Sequence, residues 1–275
     1  MLSLVTVCFN NPVELEKTVA SVRLQTKKPD LYVVVDSSGS SLQPRMREVA
    51  LSADAKYVWI PPTGVYAAMR ESMNYVPDDS WVWWINSSDW LAGKKSVEVV
   101  LEAIGSPSSN DSHWFVGELL RYKKARISRH QTGESGINFL RLLQLGRIGF
   151  PHPSTIFRAS SLKTISPYDD GLEIASDYAT ALRFGKKYGP PVLLSPSLAI
   201  HDPSGLTSRH PVRNLWERSK ARRNLGSSWT SIAELWRLPR SATKGLAYRI
   251  VGEKPVKREV NRAEHFPLRE NIPFD

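Results

Sequence analysis

Cysteine is nearly absent from this 275-residue chain, in which Cys8 is the only one. A single thiol cannot form an internal disulfide, and it cannot build a cysteine-based zinc site. The sequence also lacks a run of about 20 apolar residues, the length that crosses a bilayer. No basic segment and long apolar stretch open the chain, so we expect no signal peptide. These deficits together predict a cytoplasmic protein in a reducing compartment.

Three motifs that are common in α/β proteins are missing as well. The chain contains neither G-x-G-x-x-G nor G-x-x-x-x-G-K-[ST], so a dinucleotide site and a P-loop lose support. It contains no G-x-S-x-G, the turn that carries the nucleophile of α/β hydrolases.

Acidic residues are in deficit: 27 Asp and Glu stand against 37 Lys and Arg, a net charge of +10. Such an excess indicates an anionic partner, which could be nucleic acid, anionic lipid or a phosphorylated substrate. A solvated basic surface explains the same excess equally well. Because no nucleic-acid-binding motif is present, we expect no nucleic-acid partner.

What is present is an alternation of apolar β-branched runs with helical patterns. The runs at residues 2–9, 31–35, 57–60 and 81–85 predict strands, and the patterns beginning at Pro12 and Val65 predict helices. This order predicts βαβ units and a mostly parallel sheet flanked by helices. The second half is less regular, with three predicted strands and two predicted helices, located as follows: strands at 114–122, 154–158 and 192–195; helices within 133–149 and at 174–188.

Two parts are expected, a main domain at residues 1–205 and an extension at residues 206–275. After about residue 206 the composition shifts towards arginine, lysine and tryptophan, which predicts a basic and mainly helical extension. Such a segment suits an anionic membrane surface. The alternative is that its aromatic residues pack onto the preceding domain, and both interpretations remain open.

Polar side chains follow three of the predicted strands. Asn10, Asp36 and Asp89 each stand just past a strand end, where ligands bind in parallel sheets. Asp89 could hold a divalent ion, or it could cap a helix. Asp177 could act as a general base, or its charge could simply interact favourably with the dipole of the helix that it begins. A lone histidine such as His201 is more often structural than a ligand.

Taken in order, eight segments resemble the family 2 glycosyltransferases, which have the GT-A fold. Residues 4–11 are similar to that family's first strand, 33–36 to its nucleotide-binding turn, 84–91 to its acidic metal-binding motif, and 175–178 to its base motif. The other four segments are residues 21–26, 64–69, 151–158 and 201–208. The resemblance spans about residues 2–208, and its strength lies in the order of eight motifs that are individually weak.

The resemblance implies a Rossmann-like GT-A domain and an inverting transfer from a nucleotide diphosphate sugar to a hydroxyl. It implies that Asp177 is the base, that Asp89 and His201 hold Mg²⁺ or Mn²⁺, and that His152 lies on the acceptor side. It also implies a set of donor-binding residues: Thr6, Phe9, Asn10, Asp36, Gly64, Tyr66, Met69 and Ser88. The implied acceptor is a saccharide or lipid-linked molecule in the assembly of surface polysaccharide, lipopolysaccharide or glycolipid. The implied location is the cytoplasm, with peripheral association at the inner face of the membrane.

The sequence departs from the family pattern at three positions. Ser88 stands where the acidic motif usually has a second aspartate, Ala67 replaces an aspartate, and Arg70 replaces an asparagine. An ion at this site would therefore have fewer carboxylate ligands. A catalytically weak or inactive GT-A module that binds an anionic polymer or membrane is the alternative function.

Overall fold

The computed structural model describes residues 1–123, 126–130, 132–168, 171–202 and 209–226. The strands within these ranges are β1 Leu2–Cys8, β2 Leu31–Asp36, β3 Lys56–Trp59, β4 Trp81–Trp84, β5 Trp90–Leu91, β6 Trp114–Lys123, β7 Arg126–His130, β8 Thr155–Arg158 and β9 Val192–His201. The helices are α1 Pro12–Arg23, α2 Gln43–Leu51, α3 Val65–Ser72, α4 Ser96–Gly105, α5 Gly136–Gln144, α6 Ala159–Lys163, α7 Ser176–Tyr188 and α8 Pro211–Asn224.

The strands form one sheet in the order β3-β2-β1-β4-β8-β6-β9-β5, with β7 added beside β6. The strands from β3 to β4 run parallel, as the βαβ pattern predicts. β8 is antiparallel to both β4 and β6, and β9 is parallel to β6. The α/β class is therefore confirmed, with a sheet that is mixed in its second half.

Helices cover both faces of this sheet. Alternation along β4 sends Trp84 to one face and Trp83 to the other, and both are fully buried. The Trp84 face packs against α3, α5 and α7, and the Trp83 face packs against α1, α2 and α4. The two apolar layers explain why the strand sequences are nearly continuous hydrophobic runs.

The structure contains elements that the sequence did not predict. α2, α4, the short strand β5 and β7 all lie in segments for which the sequence predicted no strand or helix. β9 continues to His201, six residues beyond its predicted end. Polar and charged residues dominate β7, so its sequence carries no strand pattern, and pairing with β6 decides its conformation.

α8 lies within the predicted basic extension and packs on α7. The Glu217 side chain of α8 is 1% exposed, and one of its oxygens accepts hydrogen bonds from the backbone N–H groups of Ile174 and Ala175 at 2.8 and 3.0 Å. Residues 227–275, with the rest of the predicted extension, lie outside the described residues. None of the described helices is long and apolar enough to span a bilayer. The predicted domain boundary at residue 205 remains a prediction.

Candidate functional site

A cleft of about 850 Å³ opens at one edge of the sheet. Because β4 and β6 are both antiparallel to β8, they run in the same direction, and the carboxyl ends of β1, β2, β4, β6 and β9 all reach this edge. Ligands of α/β sheets bind at such an edge. Six of the predicted site residues line the cleft: Tyr66, Met69, Asp89, His152, Asp177 and His201.

Asp89 and His201 meet in the cleft from distant parts of the chain. The Oδ1 atom of Asp89, which follows β4, lies 2.7 Å from Nδ1 of His201 at the end of β9. Burial lowers the pKa of His201, but the charge and hydrogen bond of Asp89 raise it by more, so the pKa lies above its ordinary value. Thr18 of α1 donates a hydrogen bond to the Asp89 carbonyl at 2.7 Å and fixes the turn. The two predicted metal ligands are therefore adjacent.

The side chains at this point are of types that a divalent ion accepts as ligands. Among the described residues no group of three His, Cys, Asp or Glu side chains forms a ready metal cluster. Asn86 lines the cleft together with Asp89 and His201. Its buried Oδ1 has no hydrogen-bond partner among the described residues. Carboxylate, imidazole and amide oxygen are ligands that Mn²⁺ accepts, and phosphate oxygens commonly complete such sites.

Asp177 opens α7 and is half-buried in the cleft lining. Its Oδ1 accepts a hydrogen bond from the Tyr66 hydroxyl at 3.2 Å and one from the Tyr178 backbone N–H at 2.7 Å. The Tyr66 hydroxyl is also 2.8 Å from the Ile174 carbonyl. Burial and the Asp177 charge raise the pKa of Tyr66 well above its ordinary value, so the phenol stays protonated. Asp177 is therefore a carboxylate held in a defined position at a cleft, as a general base must be.

His152 lies deeper and is buried. Its Nε2 is 3.1 Å from the Tyr168 hydroxyl, and its ring packs 6.0 Å from that of Trp84. Burial, with a smaller effect of His201, lowers the pKa of His152 to about 3, so its imidazole is neutral at pH 7. The residue can therefore contribute a neutral hydrogen-bonding group to the floor of the cleft.

Four predicted donor-binding residues lie around the ends of β1 and β2. Asn10 adopts a left-handed conformation, with φ of 51°, and its Oδ1 accepts the Gly39 N–H at 3.0 Å. Phe9 beside it is 55% exposed. Asp36 and Thr6 are instead fully buried.

The buried pair makes its hydrogen bonds within the protein. Asp36 accepts from the Ser38 backbone N–H at 2.9 Å and from the Tyr57 hydroxyl at 2.7 Å. Thr6 donates to the Ile85 carbonyl at 2.7 Å. A direct contact between either side chain and a nucleotide would require these neighbours to move. In the structure as it stands, Asp36 holds the turn that follows β2.

Two predicted residues have unusual backbone conformations. Gly64 precedes α3 with φ of 100° and ψ of 160°, a region that is open essentially to glycine alone. Ser88, immediately before Asp89, has φ of 90°. A non-glycine residue in this conformation is strained, and such strain clusters at ligand sites. Met69 of α3, another predicted donor-binding residue, is buried and lines the cleft.

The sequence did not single out the basic residues of the cleft. Four arginines and one histidine outside the predicted site line it, and together we call them the arginine cluster: Arg121, Arg129, His130, Arg147 and Arg218. They come from β6, β7, the segment after α5, and α8. Arginines are scattered through the whole chain, so only the topology reveals which of them converge.

The family model for glycosyl transferase family 2 matches residues 3–165, which is more than half of the chain. An uncharacterized glycosyltransferase of Mycobacterium tuberculosis, Rv1514c, is 26% identical over 184 residues, which cover 66% of this chain and 68% of that protein.

Solved structures share the fold at low sequence identity. S. aureus TarS 1–349 in complex with UDP-GlcNAc has a TM-score of 0.61 and 14% identity, covering 90% of this chain and 72% of that one. The mannosyltransferase PcManGT from Pyrobaculum calidifontis, in complex with GDP-Man and Mn²⁺, has a TM-score of 0.56 and 14% identity, covering 92% and 76%. With the family match, the GT-A fold and the carboxylates at its carboxyl edge, the chain belongs to glycosyl transferase family 2 and is a glycosyltransferase.

Proposed function

We propose that this glycosyltransferase moves a sugar from a nucleotide diphosphate sugar to an acceptor hydroxyl and inverts the anomeric carbon. The observation that carries the proposal is that Asp177 and the Asp89–His201 pair line one cleft at the carboxyl edge. A similar fold binds UDP-GlcNAc in TarS, and another binds GDP-Man with Mn²⁺ in PcManGT. These complexes support a nucleotide-sugar donor here.

In the proposed reaction the acceptor oxygen attacks the anomeric carbon as the bond from that carbon to the diphosphate oxygen breaks. The acceptor proton passes to the Asp177 carboxylate, and the nucleoside diphosphate leaves with the bonding electrons. A single displacement inverts the anomeric carbon, so no covalent enzyme nucleophile is needed. Tyr66 donates a hydrogen bond to Asp177, and both residues line the cleft.

Asp89, His201 and Asn86 are the residues that would hold Mg²⁺ or Mn²⁺. A divalent ion bound there supplies positive charge that stabilises the leaving diphosphate. Asn10, Ser88 and the turn held by Asp36 would border the nucleotide, with Gly64, Tyr66 and Met69 below the sugar. The resemblance favours an acceptor of surface polysaccharide, lipopolysaccharide or glycolipid assembly, in the cytoplasm or at its membrane face.

The test is a panel of UDP-, GDP- and dTDP-sugars, assayed for hydrolysis or transfer with and without Mn²⁺. We expect one nucleotide to stabilise the full chain against heat and its sugar to be released or transferred. A chain that binds none of the three nucleotides in either condition would refute the proposed donor class and support the alternative of a binding module.

A further inference from the structure

The second half of the chain brings positive charge into the cleft from four separate segments. The arginine cluster combines β6 and β7 residues with Arg147 and with Arg218 of α8. Glu118 lies 3.9 Å from Arg129, whose side chain is 70% exposed, so this ion pair is weak. The cluster therefore keeps a net positive charge.

The members of the cluster converge on the segment after α5. His130 Nε2 lies 3.1 Å from the Gly149 carbonyl oxygen, and Arg218 donates to the Ile148 carbonyl. A Cβ atom at Gly149 would lie 3.8 Å from Arg121 Nη2. Burial and the Arg218 charge lower the pKa of Arg121, and burial and Arg121 lower the pKa of His130 to about 4. Arg121, Arg218 and His130 are therefore close enough for the two arginine charges to act on their neighbours.

Two members of the cluster, Arg121 and Arg218, have hydrogen-bond donors that are not used within the described residues. The Arg121 side chain makes no hydrogen bond or ion pair with any residue in the described ranges, although it lines the cleft. Within the same ranges, the buried Nε of Arg218 has no hydrogen-bond partner. The guanidinium groups of Arg121 and Arg218 act on each other through their like charges and are partly desolvated, which costs stability. Such an arrangement is typical of a binding site for an anion.

The cluster lies on the side of the cleft away from β1, although Arg121 is the strand partner of His201 and so also borders the proposed ion. β6 is three strands away from β1, with β4 and β8 between them, a distance of roughly 14 Å at the usual strand spacing. Arg218 stacks on the ring of Tyr178, 4.5 Å from its centroid, and Tyr178 adjoins the proposed base Asp177. The cluster thus borders the place where the attacking hydroxyl must sit.

We infer that the acceptor of this enzyme carries an anionic group, a phosphate or a carboxylate, which the arginine cluster binds. The inference rests on the proposed function, because it assigns the acceptor half of the same cleft. Arg121 and Arg218 supply forked donors that match either anion. Arg129 and Arg147 add positive charge around it, while His130 is a neutral imidazole at pH 7. A neutral saccharide would leave these donors unmatched.

The test is a calorimetric titration of the full chain. Binding of UDP and GDP with Mn²⁺ is measured first, and the protein saturated with the better nucleotide is then titrated with glucose, glucose 6-phosphate and glucuronate. Dihexanoyl phosphatidic acid in a parallel titration distinguishes a lipid phosphate from a soluble one. The matched variants are Arg121→Gln in the cleft and Arg45→Gln, an exposed arginine on α2 whose partners are the surface residues Glu16 and Glu48.

We expect at least one of the anionic probes to bind tenfold or more tightly than glucose. Arg121→Gln should weaken that binding by about tenfold, the scale of a hydrogen bond to a charged group, while Arg45→Gln should not. Equal binding of glucose and all three anions would overturn the inference even where the nucleotide binds. Loss of nucleotide affinity in Arg121→Gln would also overturn it, since the cluster would then serve the donor.

Discussion

The two halves of the molecule contribute differently to one cleft. Residues 1–91 supply Tyr66, Met69, Asn86 and Asp89 to its lining, with no cationic side chain. Residues 114–226 supply every arginine and histidine of the lining, together with Asp177. The first half follows the regular βαβ pattern, and the second half adds antiparallel strands and α8. The first half therefore carries most of the residues proposed for the donor, the second half carries those proposed for the acceptor, and the proposed ion lies between them.

The largest expected effect concerns Asp177, the proposed base from the second half. Asp177→Asn keeps the shape of the side chain but cannot take the proton, so transfer should fall by roughly 10²- to 10⁴-fold. Nucleotide binding, assigned mainly to the first half, should survive in calorimetry. The control is Asp78→Asn, since Asp78 is an exposed carboxylate just before the N-terminal end of β4, away from the cleft. Near wild-type transfer by the Asp177 variant would mean that another group accepts the proton.

The next effect tests whether α8 belongs to the catalytic unit. Glu217→Ala leaves the backbone N–H groups of Ile174 and Ala175 unsatisfied, so we expect a loss of about 3 kcal/mol in the free energy of unfolding. Glu173 is the matched control, because it also pairs with Arg213 but is 70% exposed. Urea denaturation measures both variants. Equal stability of the two would show that α8 is separable from the cleft.

The third prediction concerns the contact between Asp89 of the first half and His201 of the second half. Asp89→Asn and His201→Gln should each weaken Mn²⁺-dependent binding of the nucleoside diphosphate by at least tenfold, or about 1.4 kcal/mol. The reason is that the two side chains lie 2.7 Å apart and are proposed to hold one ion. Titration of the nucleotide with and without Mn²⁺ makes the comparison. If only Asp89→Asn weakens binding, the ion belongs to the first half alone.

A fourth effect, small per pH unit, is the dependence of stability on pH. Folded His152 has a pKa of about 3, below the ordinary value of about 6.5, so protons bind preferentially to the unfolded chain as the pH falls. The stabilisation is complete above pH 6.5 and declines towards pH 3, by at most about 1.4 kcal/mol per pH unit. His152→Gln should flatten the stability curve between pH 6 and 4. An unchanged slope would mean that this histidine is protonated in the folded protein.

Local sequence patterns predicted the structure correctly where the residues adjacent in the chain decide the conformation. The β1, β2 and β4 runs are buried on both faces, so their apolar sequences predicted parallel strands, and the polar residues after them marked the edge. β7 could not be predicted, because its polar sequence takes strand form only through pairing with β6. Asp36 was assigned to the nucleotide from the family resemblance, and only the packing reveals that it is fully buried.

The sequence by itself determined the α/β class, the carboxyl edge and the order of motifs that identifies the family, because these depend on periodicity and spacing along the chain. Only the tertiary structure decided which distant residues meet. Asp89 and His201 are separated by 112 positions and touch, because β9 ends beside the turn that follows β4. The arginine cluster has the same origin: strand order and the docking of α8 bring its charges together, and no local pattern in the chain records that convergence.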